Sequence, residues 1–384
     1  MIIKKESLLR FFLVISVYWA SFSGIFVFWT PLSEYGEFTV PRAVLMAGDI
    51  ILFAGSVLVA PLIKKSIYFR NAFTITLIFI LICTIASAKL ANNITPQDYL
   101  HYFGRNFLFY FLIGLMAMAV SMATDPTFHE KFLDIYTIAF AGVSLVICIL
   151  YFTGNRDLFW EGTRLTGPMI NHNSFAFVCV FLLFRLIQKE NYLLSSLYIG
   201  FIFLSGSATG MLSIAAIAIL KPRVGLLISM AFFAGAYLYY NELEGMHFFY
   251  KIDQLFYSNE THLTSLSSRQ DQYSWFVNNF LLSPSAWPLG VLHQNEFLRF
   301  DSQYYNIAVN FGAIALATLA ASYYIYFRAI PIKSVRLFLV WAAIAMVMTA
   351  FLSRWNIIII FFYILGYGIS HKTRPIKHEP HQYS

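Results

Sequence analysis

The stretch IYTIAFAGVSLVICILYFT, residues 135–153, is 19 residues long and contains no charged side chain. A helix of about 20 apolar residues crosses the hydrocarbon core of a bilayer, where an open sheet edge could not satisfy its backbone polar groups. The stretch therefore predicts a transmembrane helix. Eleven further apolar stretches predict an all-α, polytopic membrane bundle of about 12 spans. They are residues 11–29, 43–62, 72–90, 106–122, 173–187, 192–205, 209–220, 224–240, 304–327, 335–352 and 355–369.

The composition of the chain supports a membrane protein and excludes water-soluble classes. Of its 384 residues, 59% are hydrophobic and 12% are charged, and the mean hydropathy is +0.66. Soluble domains are roughly 25% charged, so this chain lacks the polar surface to cover itself in water. Soluble enzymes and DNA-binding proteins are excluded, and the lipid bilayer is an expected partner.

The basic residues predict the orientation of the spans, because lysine and arginine accumulate on the cytoplasmic side of a membrane. With the N-terminus in the cytoplasm, the cytoplasmic segments carry 17 basic and six acidic residues. The opposite segments carry nine basic and twelve acidic residues. The net charge of +7 therefore reflects topology and implies no nucleic-acid partner. Both termini are expected in the cytoplasm.

A single transmembrane domain, residues 1–384, is predicted, with one large outer loop at residues 241–303 between the ninth and tenth spans. Disordered segments are poor in aromatic residues, whereas this loop is rich in phenylalanine, tyrosine and tryptophan. Long loops in compact proteins are usually functional or disordered. The loop is therefore expected to fold against the outer face of the membrane.

An amphipathic helix is predicted inside this loop. Ser268 and Asp271 have the spacing of a capping box at its start, and Pro284 marks its end. Its apolar stripe suits a position in the membrane interface. The stripe consists of Tyr273, Phe276, Val277, Phe280 and Leu281. Arg269 continues the stripe, where it either reaches into a site below the helix or anchors the helix at the lipid surface.

A second candidate region is RLTGPMINHN, residues 164–173, between the fifth and sixth spans. Arg164 precedes a Gly-Pro turn, and Asn171, His172 and Asn173 lead into the sixth span. Asn173 is expected to cap that helix, whose free N–H groups and dipole favour an anion. A guanidinium beside a helix N-terminus suits a phosphate. Alternatively, Arg164 only anchors the loop at the lipid headgroups.

A third candidate region lies where the long loop meets the tenth span, at His293, Glu296, Arg299 and Asp301. The histidine and the two carboxylates are candidates for a general base, and only histidine has an ordinary pKa near neutrality. Asp301 could instead cap the helix that follows, together with Ser302. Arg299 is a further candidate for binding an anionic substrate.

Motifs for metals and nucleotides are missing from the sequence. It contains no GxxxxGK[ST], HExxH, GxSxG, CxxC or DxD motif. The three cysteines, Cys83, Cys148 and Cys179, lie in apolar runs and indicate small buried side chains. Neither a metal nor a cofactor is expected. An enzyme of this composition would need a substrate that is already activated in the membrane.

The order of these motifs resembles the bacterial O-antigen polymerase and O-antigen ligase superfamily. An outer loop with Arg164 and GPMINHNSFA is followed by LSGSATGML, a long outer loop with an arginine, and DSQYYNIAVNFG. The resemblance covers roughly residues 150–320. It implies that outer arginines hold the diphosphate of an undecaprenyl-linked sugar. Arg156 and Gly167 are also separated by ten residues, as in an arginine–glycine pattern of some polymerases.

One position separates the two branches of that superfamily. Ligases carry a histidine that is thought functional upstream of a glycine in the last motif. Counting back from Gly312, this sequence has Asp301 there, followed by Ser302. The Asp-Ser form is more similar to polymerases. The ligase interpretation stays open, because His293 lies only eight residues away.

The resemblance therefore implies a metal-independent glycosyltransferase of the bacterial inner membrane, acting in lipopolysaccharide biosynthesis. Undecaprenyl-pyrophosphate-linked oligosaccharide is its expected substrate, and a chain-length regulator and a flippase are possible partners. Arg164, Arg269, Asp301 and His293 are its expected catalytic residues. Its expected substrate-binding residues are Arg299, Asn171, His172, Asn173 and Arg156. The alternatives are an O-antigen ligase and, in a different class, a lipid-linked oligosaccharide flippase or transporter.

Overall fold

The computed structural model describes residues 5–25, 40–63, 67–88, 108–154, 164–169, 171–220, 264–291, 301–350, 352 and 354–373. Within these ranges the structure contains twelve α-helices and no strand, which confirms the predicted all-α class. The helices are α1 (Lys5–Phe22), α2 (Val40–Val59), α3 (Ile67–Ala88), α4 (Tyr110–Ala123), α5 (Pro126–Phe152), α6 (His172–Gln188), α7 (Tyr192–Ser205), α8 (Ala208–Leu220), α9 (Thr264–Phe276), α10 (Gln303–Ala329), α11 (Lys333–Ala345) and α12 (Trp355–Thr373).

Eleven of these helices coincide with predicted spans, and α9 is the helix predicted inside the long loop. The predicted ninth span, residues 224–240, lies outside the described residues. By length and composition, α5 and α10 could each cross a membrane, with mean hydropathy values of 2.3 and 1.5. The other apolar helices are shorter over the residues that the structure describes, so the count of twelve spans stays a prediction.

Helix α12 lies at the centre of the bundle and packs along α4. Its residues from Ile357 to Leu365 are buried almost completely. Two glycines let the helices approach closely. A Cβ atom on Gly366 would lie 2.5 Å from the carbonyl oxygen of Met118, and one on Gly114 would lie 2.6 Å from the ring of Phe362. Small residues of this kind allow backbones to approach in helical membrane bundles.

Helix α6 also runs through the interior, with α7 and α11 packed beside it. Its C-terminal end carries Arg185, whose side chain is only 3% exposed. This guanidinium donates to the carboxylates of Glu130 at 2.7 Å and Asp134 at 2.8 Å, both on α5. Lys189 contacts the same two carboxylates. We call this end of the bundle the Arg185 end and the opposite end of α6 the Arg164 end.

Helix α10 is interrupted at Gly312, where φ is +90° and ψ is 173°. The backbone groups released by the interruption pair with the segment that follows α9. The N–H of Ala313 donates to the carbonyl of Trp287 at 2.6 Å, and the carbonyl of Val309 accepts from the N–H of Val291 at 2.8 Å. The described part of the long loop is therefore joined to α10 through the main chain.

The helix of the long loop begins earlier than its capping motif predicts. Helix α9 starts at Thr264, so Ser268 is not its N-cap, and a π-helical turn extends it from Val277 to Leu281. Serine is tolerated inside helices, so the spacing from Ser268 to Asp271 alone does not fix the start. The predicted end is correct, because Pro284 opens a separate short 3-10 turn.

Only part of the predicted apolar stripe of α9 is buried. Phe276 and Phe280 are covered, and the ring of Phe276 stacks on Tyr305 of α10 with ring centroids 4.3 Å apart. Tyr273 and Leu281 are exposed. The stripe therefore docks α9 onto α10 and leaves further apolar surface uncovered among the described residues.

Replacing Arg185 with methionine should lower the free energy of unfolding by about 3 kcal/mol, because it removes the buried guanidinium that pairs with both Glu130 and Asp134. The matched control is Arg10→Met, which breaks an exposed pair with Glu6 and should cost less than about 1 kcal/mol. Denaturant unfolding of the purified variants measures both. Equal stability of the two variants would show that the buried pair does not hold α5 to α6.

Replacing Gly312 with alanine should destabilise the protein by about 1–3 kcal/mol, because alanine disfavours a φ of +90°. Its Cβ would also lie 2.3 Å from the carbonyl oxygen of Pro288. The control is Gly142→Ala in α5, where an added Cβ meets no atom within 4 Å. Proteolysis of the loop, together with thermal unfolding, checks the effect. Unchanged protease resistance in the Gly312 variant would contradict the docking described above.

Candidate functional site

The segment from Arg164 to Met169 forms a tight turn beside the N-terminus of α6. Gly167 has a φ of +53° and lies against the ring of Phe175. The backbone N–H of Leu165 donates to the carbonyl of Leu204, at the end of α7, over 2.9 Å. Arg164 is half-buried, and its Nη1 donates to Nε2 of His172 at 3.1 Å. Since arginine only donates, Nε2 of His172 is unprotonated in this arrangement.

The N-terminus of α6 is capped by Asn171 and not by Asn173 as predicted. The Oδ1 atom of Asn171 accepts from the backbone N–H groups of Asn173 at 2.8 Å and Ser174 at 3.4 Å. Asn173 lies inside the helix, and its Oδ1 accepts from the hydroxyl of Ser207 at 2.8 Å. An N-cap residue needs a non-helical backbone, and Asn171, the residue just before the helix, has the extended backbone that this role requires. Asn173 instead ties α6 to the turn between α7 and α8.

Asp301 lies at the start of α10, next to the loop helix. Its backbone N–H donates to Oε1 of Gln272 in α9 at 2.9 Å. The cap of α10 is Ser302, whose hydroxyl accepts from the N–H of Tyr305 at 3.4 Å, and the Asp301 side chain is exposed. Arg269 precedes Gln272 by three residues, so the two positions share a face of α9. The helix of the long loop therefore meets Asp301, the one residue of the third candidate region that the structure describes.

Arg354 is a further cation near Asp301, and none of the sequence motifs points to it. It lies between α11 and α12, is half-buried, and feels the charge of Asp301. Burial lowers the pKa of Arg354 to about 10, and Asp301 opposes that shift. A guanidinium that has lost part of its water gains more than an exposed one from binding an anion.

Contacts across helices bring the candidate regions to the same end of the bundle. Ser174, in the first turn of α6, donates to Oδ1 of Asn356 at 3.5 Å, and Asn356 follows Arg354 by two residues. The N–H of Gln303 donates to the carbonyl of Met346 at 2.8 Å, which joins the start of α10 to the end of α11. Arg164 and His172 thus share the Arg164 end with Arg354 and Asp301.

Arg156, His293 and Arg299 lie outside the described residues, as does Glu296. The structure describes the backbone of Arg269, while its side chain is outside the description. In the sequence, Arg354 is visible as an arginine in the short connection between the last two predicted spans, which the predicted topology places outside. Its proximity to Asp301 is not visible, because it depends on how α10, α11 and α12 pack.

The described residues offer cations and hydrogen-bond donors but no metal centre. Within them, no three histidine, cysteine, aspartate or glutamate side chains are grouped so as to hold a metal ion. Asp49, an ionisable residue inside a predicted span, accepts a hydrogen bond from the Tyr110 hydroxyl at 2.7 Å. At the Arg164 end the described residues supply guanidinium groups, an imidazole and a carboxylate. Such a set can bind an anion and take up a proton.

Comparison with models of known protein families gives no match to this sequence. Comparison with curated proteins likewise gives no significant match.

Replacing Arg354 with glutamine should leave the protein as stable as the wild type, or more stable, while weakening its stabilisation by inorganic pyrophosphate. Because burial lowers the pKa of Arg354, the folded state holds this proton less tightly than the unfolded chain, so at neutral pH the charge opposes folding. A bound anion reverses that effect, by about 2.7 kcal/mol at 100 times its dissociation constant.

Thermal unfolding with and without pyrophosphate measures this difference. The control is Arg328→Gln, an exposed arginine at the opposite end of α10. Equal stabilisation of the Arg354 variant and the wild type by pyrophosphate would show that Arg354 does not bind the anion.

Proposed function

We propose that the protein is an O-antigen polymerase, a membrane-embedded glycosyltransferase that acts on undecaprenyl-pyrophosphate-linked oligosaccharides at the periplasmic face of a bacterial inner membrane. The observation that carries the proposal is the collection of Arg164, His172, Arg354 and Asp301 at one end of an apolar helical bundle. The order of the sequence motifs, which resembles O-antigen polymerases, gives the substrate class.

The surface of the bundle supports its location in a membrane. Large apolar side chains are exposed along the outer faces of α2, α3 and α5, far beyond the single exposed leucines that are normal in soluble proteins. They include Ile50, Ile51, Leu58, Leu81, Ile85, Ile135, Ile138 and Ile149. A bilayer would cover such a surface. The Arg185 end, with Lys189 and the lysines near it, would then face the cytoplasm.

The reaction is a single displacement at the anomeric carbon of the donor sugar. A hydroxyl oxygen of the acceptor repeat unit forms the new bond to that carbon, and the bond from the carbon to the diphosphate oxygen breaks. Undecaprenyl pyrophosphate leaves with the bonding electrons, and the hydroxyl proton passes to a base. One displacement inverts the configuration at the anomeric carbon. The barrier lies mainly in the charge that develops on the leaving group.

Arginine side chains stabilise that charge. Arg164 and Arg269 hold the diphosphate, and Arg299 and Arg354 assist in binding it, since preorganised donors act on charge that develops in the transition state. Guanidinium groups here take the place that a divalent cation has in other transferases. Asp301 or His293 orients or deprotonates the acceptor hydroxyl. The remaining substrate-binding roles fall to His172, Asn171, Asn173 and Arg156.

Replacing Arg164 or Arg269 with alanine should abolish long glycan chains while the protein still inserts into the membrane. Loss of one such donor typically lowers the rate by ~10²–10³. Lysine at either position should also be poorly tolerated, because its ammonium group cannot make a bidentate contact. Glycan ladders from complemented deletion strains measure the effect, with Arg328→Ala as a control and membrane protein amounts compared. Near-normal ladders in both alanine variants would defeat the assignment.

The strain that lacks the gene separates the proposed function from its alternatives. Loss of a polymerase leaves lipid A core that bears a single repeat unit. Loss of an O-antigen ligase leaves bare core, and loss of a flippase traps undecaprenyl-linked units on the cytoplasmic leaflet. Either of the last two outcomes would replace the proposal.

A further inference from the structure

An elongated apolar groove lies between α5 and α7. Its volume is about 790 Å³, within the ~300–1,000 Å³ of small-molecule sites. The wall on α7 runs from Leu193 to Leu204, about 16 Å along the helix axis, and the wall on α5 runs from Leu145 to Thr153. Most of the lining side chains are aliphatic or aromatic. The shape and lining suit a hydrocarbon chain.

One end of the groove reaches the turn that contains Arg164. Leu204 lines the groove, and its carbonyl accepts from the N–H of Leu165, the residue after Arg164, at 2.9 Å. At the other end, near Leu193, the preceding turn carries Lys189, which forms salt bridges with Glu130 and Asp134. The groove is therefore mostly apolar along its length, and its Leu204 end is joined through the main chain to the turn that carries Arg164.

We propose that this groove binds the polyprenyl tail of the donor lipid, with the diphosphate of that lipid at Arg164. The inference rests on the proposed function and adds the site that holds the tail. A single apolar groove that ends at the turn carrying Arg164 matches an amphiphile with one hydrocarbon chain and an anionic head. Binding the tail here places the anomeric carbon next to the groups that carry the chemistry.

Gly200 allows the groove to be filled by a single substitution. It lines the groove, and a Cβ atom added to it would meet no atom within 4 Å. Leucine at position 200 would project into the empty space, and it favours the helix by roughly 1 kcal/mol relative to glycine. The matched control is Gly142→Leu. Gly142 has the same open surroundings but lies one turn beyond the end of the α5 wall.

The test uses an undecaprenyl pyrophosphate analogue with a diazirine in its tail, added to the full-length protein in vesicles of phosphatidylethanolamine and phosphatidylglycerol. In the wild type, photolabelling should map to α5 and α7 and should be competed by undecaprenyl pyrophosphate. Gly200→Leu should reduce this labelling by roughly tenfold, an effect that a small loss of binding free energy produces. Gly142→Leu should label like the wild type.

Three results would overturn the inference. The first is equal labelling of the Gly200→Leu variant and the wild type. The second is competition by additional phosphatidylglycerol as effective as that by undecaprenyl pyrophosphate, which would make the groove a phospholipid site. The third is loss of the Gly200→Leu variant from the membrane while Gly142→Leu is retained, which would show that another part of the chain fills the groove.

The glycan ladders of the same strains separate this inference from the proposed function. If Arg164→Ala abolishes the ladder while Gly200→Leu labels and polymerises like the wild type, the groove assignment fails and the function stands. If the strain lacking the gene has a normal ladder, the proposed function fails whatever the photolabelling shows.

Discussion

The burial of Arg185 fixes the position of α6, and the arrangement at the other end of the helix depends on that position. A guanidinium out of water is costly unless it is paired and hydrogen-bonded. Two carboxylates of α5 meet this requirement only when the helices lie at one relative height. Because α6 is a rigid rod of about 25 Å, its anchored C-terminus also determines where Asn171 and His172 lie.

The helices were largely predictable because apolar length and charge spacing act locally. Stretches such as residues 135–153 have few alternatives to a helix, and eleven predicted spans coincide with helices. The helix ends were less predictable, since they depend on which polar side chain finds a free N–H group. Asn171 and Asn173 are equivalent by residue type, and the structure shows that Asn171, with its extended backbone, is the one that caps α6.

The site was predictable only in part, for a similar reason. The motifs containing Arg164 and Asp301 are visible along the chain, and both lie at the Arg164 end. The nearness of Arg354 to Asp301 is not visible, because it follows from tertiary contacts. Gln303 is central to them, since its N–H donates to Met346 and its side-chain oxygen accepts from the N–H of Leu352 at 2.8 Å. Such contacts leave no periodic signal in the sequence.

The interruption of α10 at Gly312 affects which residues of the long loop can change without altering the fold. The long loop is attached there through the N–H of Val291 and the carbonyl of Trp287, groups that every residue type except proline provides in full. Side chains between these positions can therefore change during evolution without moving the backbone of this segment. The surface that this segment presents can therefore diverge while the scaffold is kept, provided that the glycine is retained.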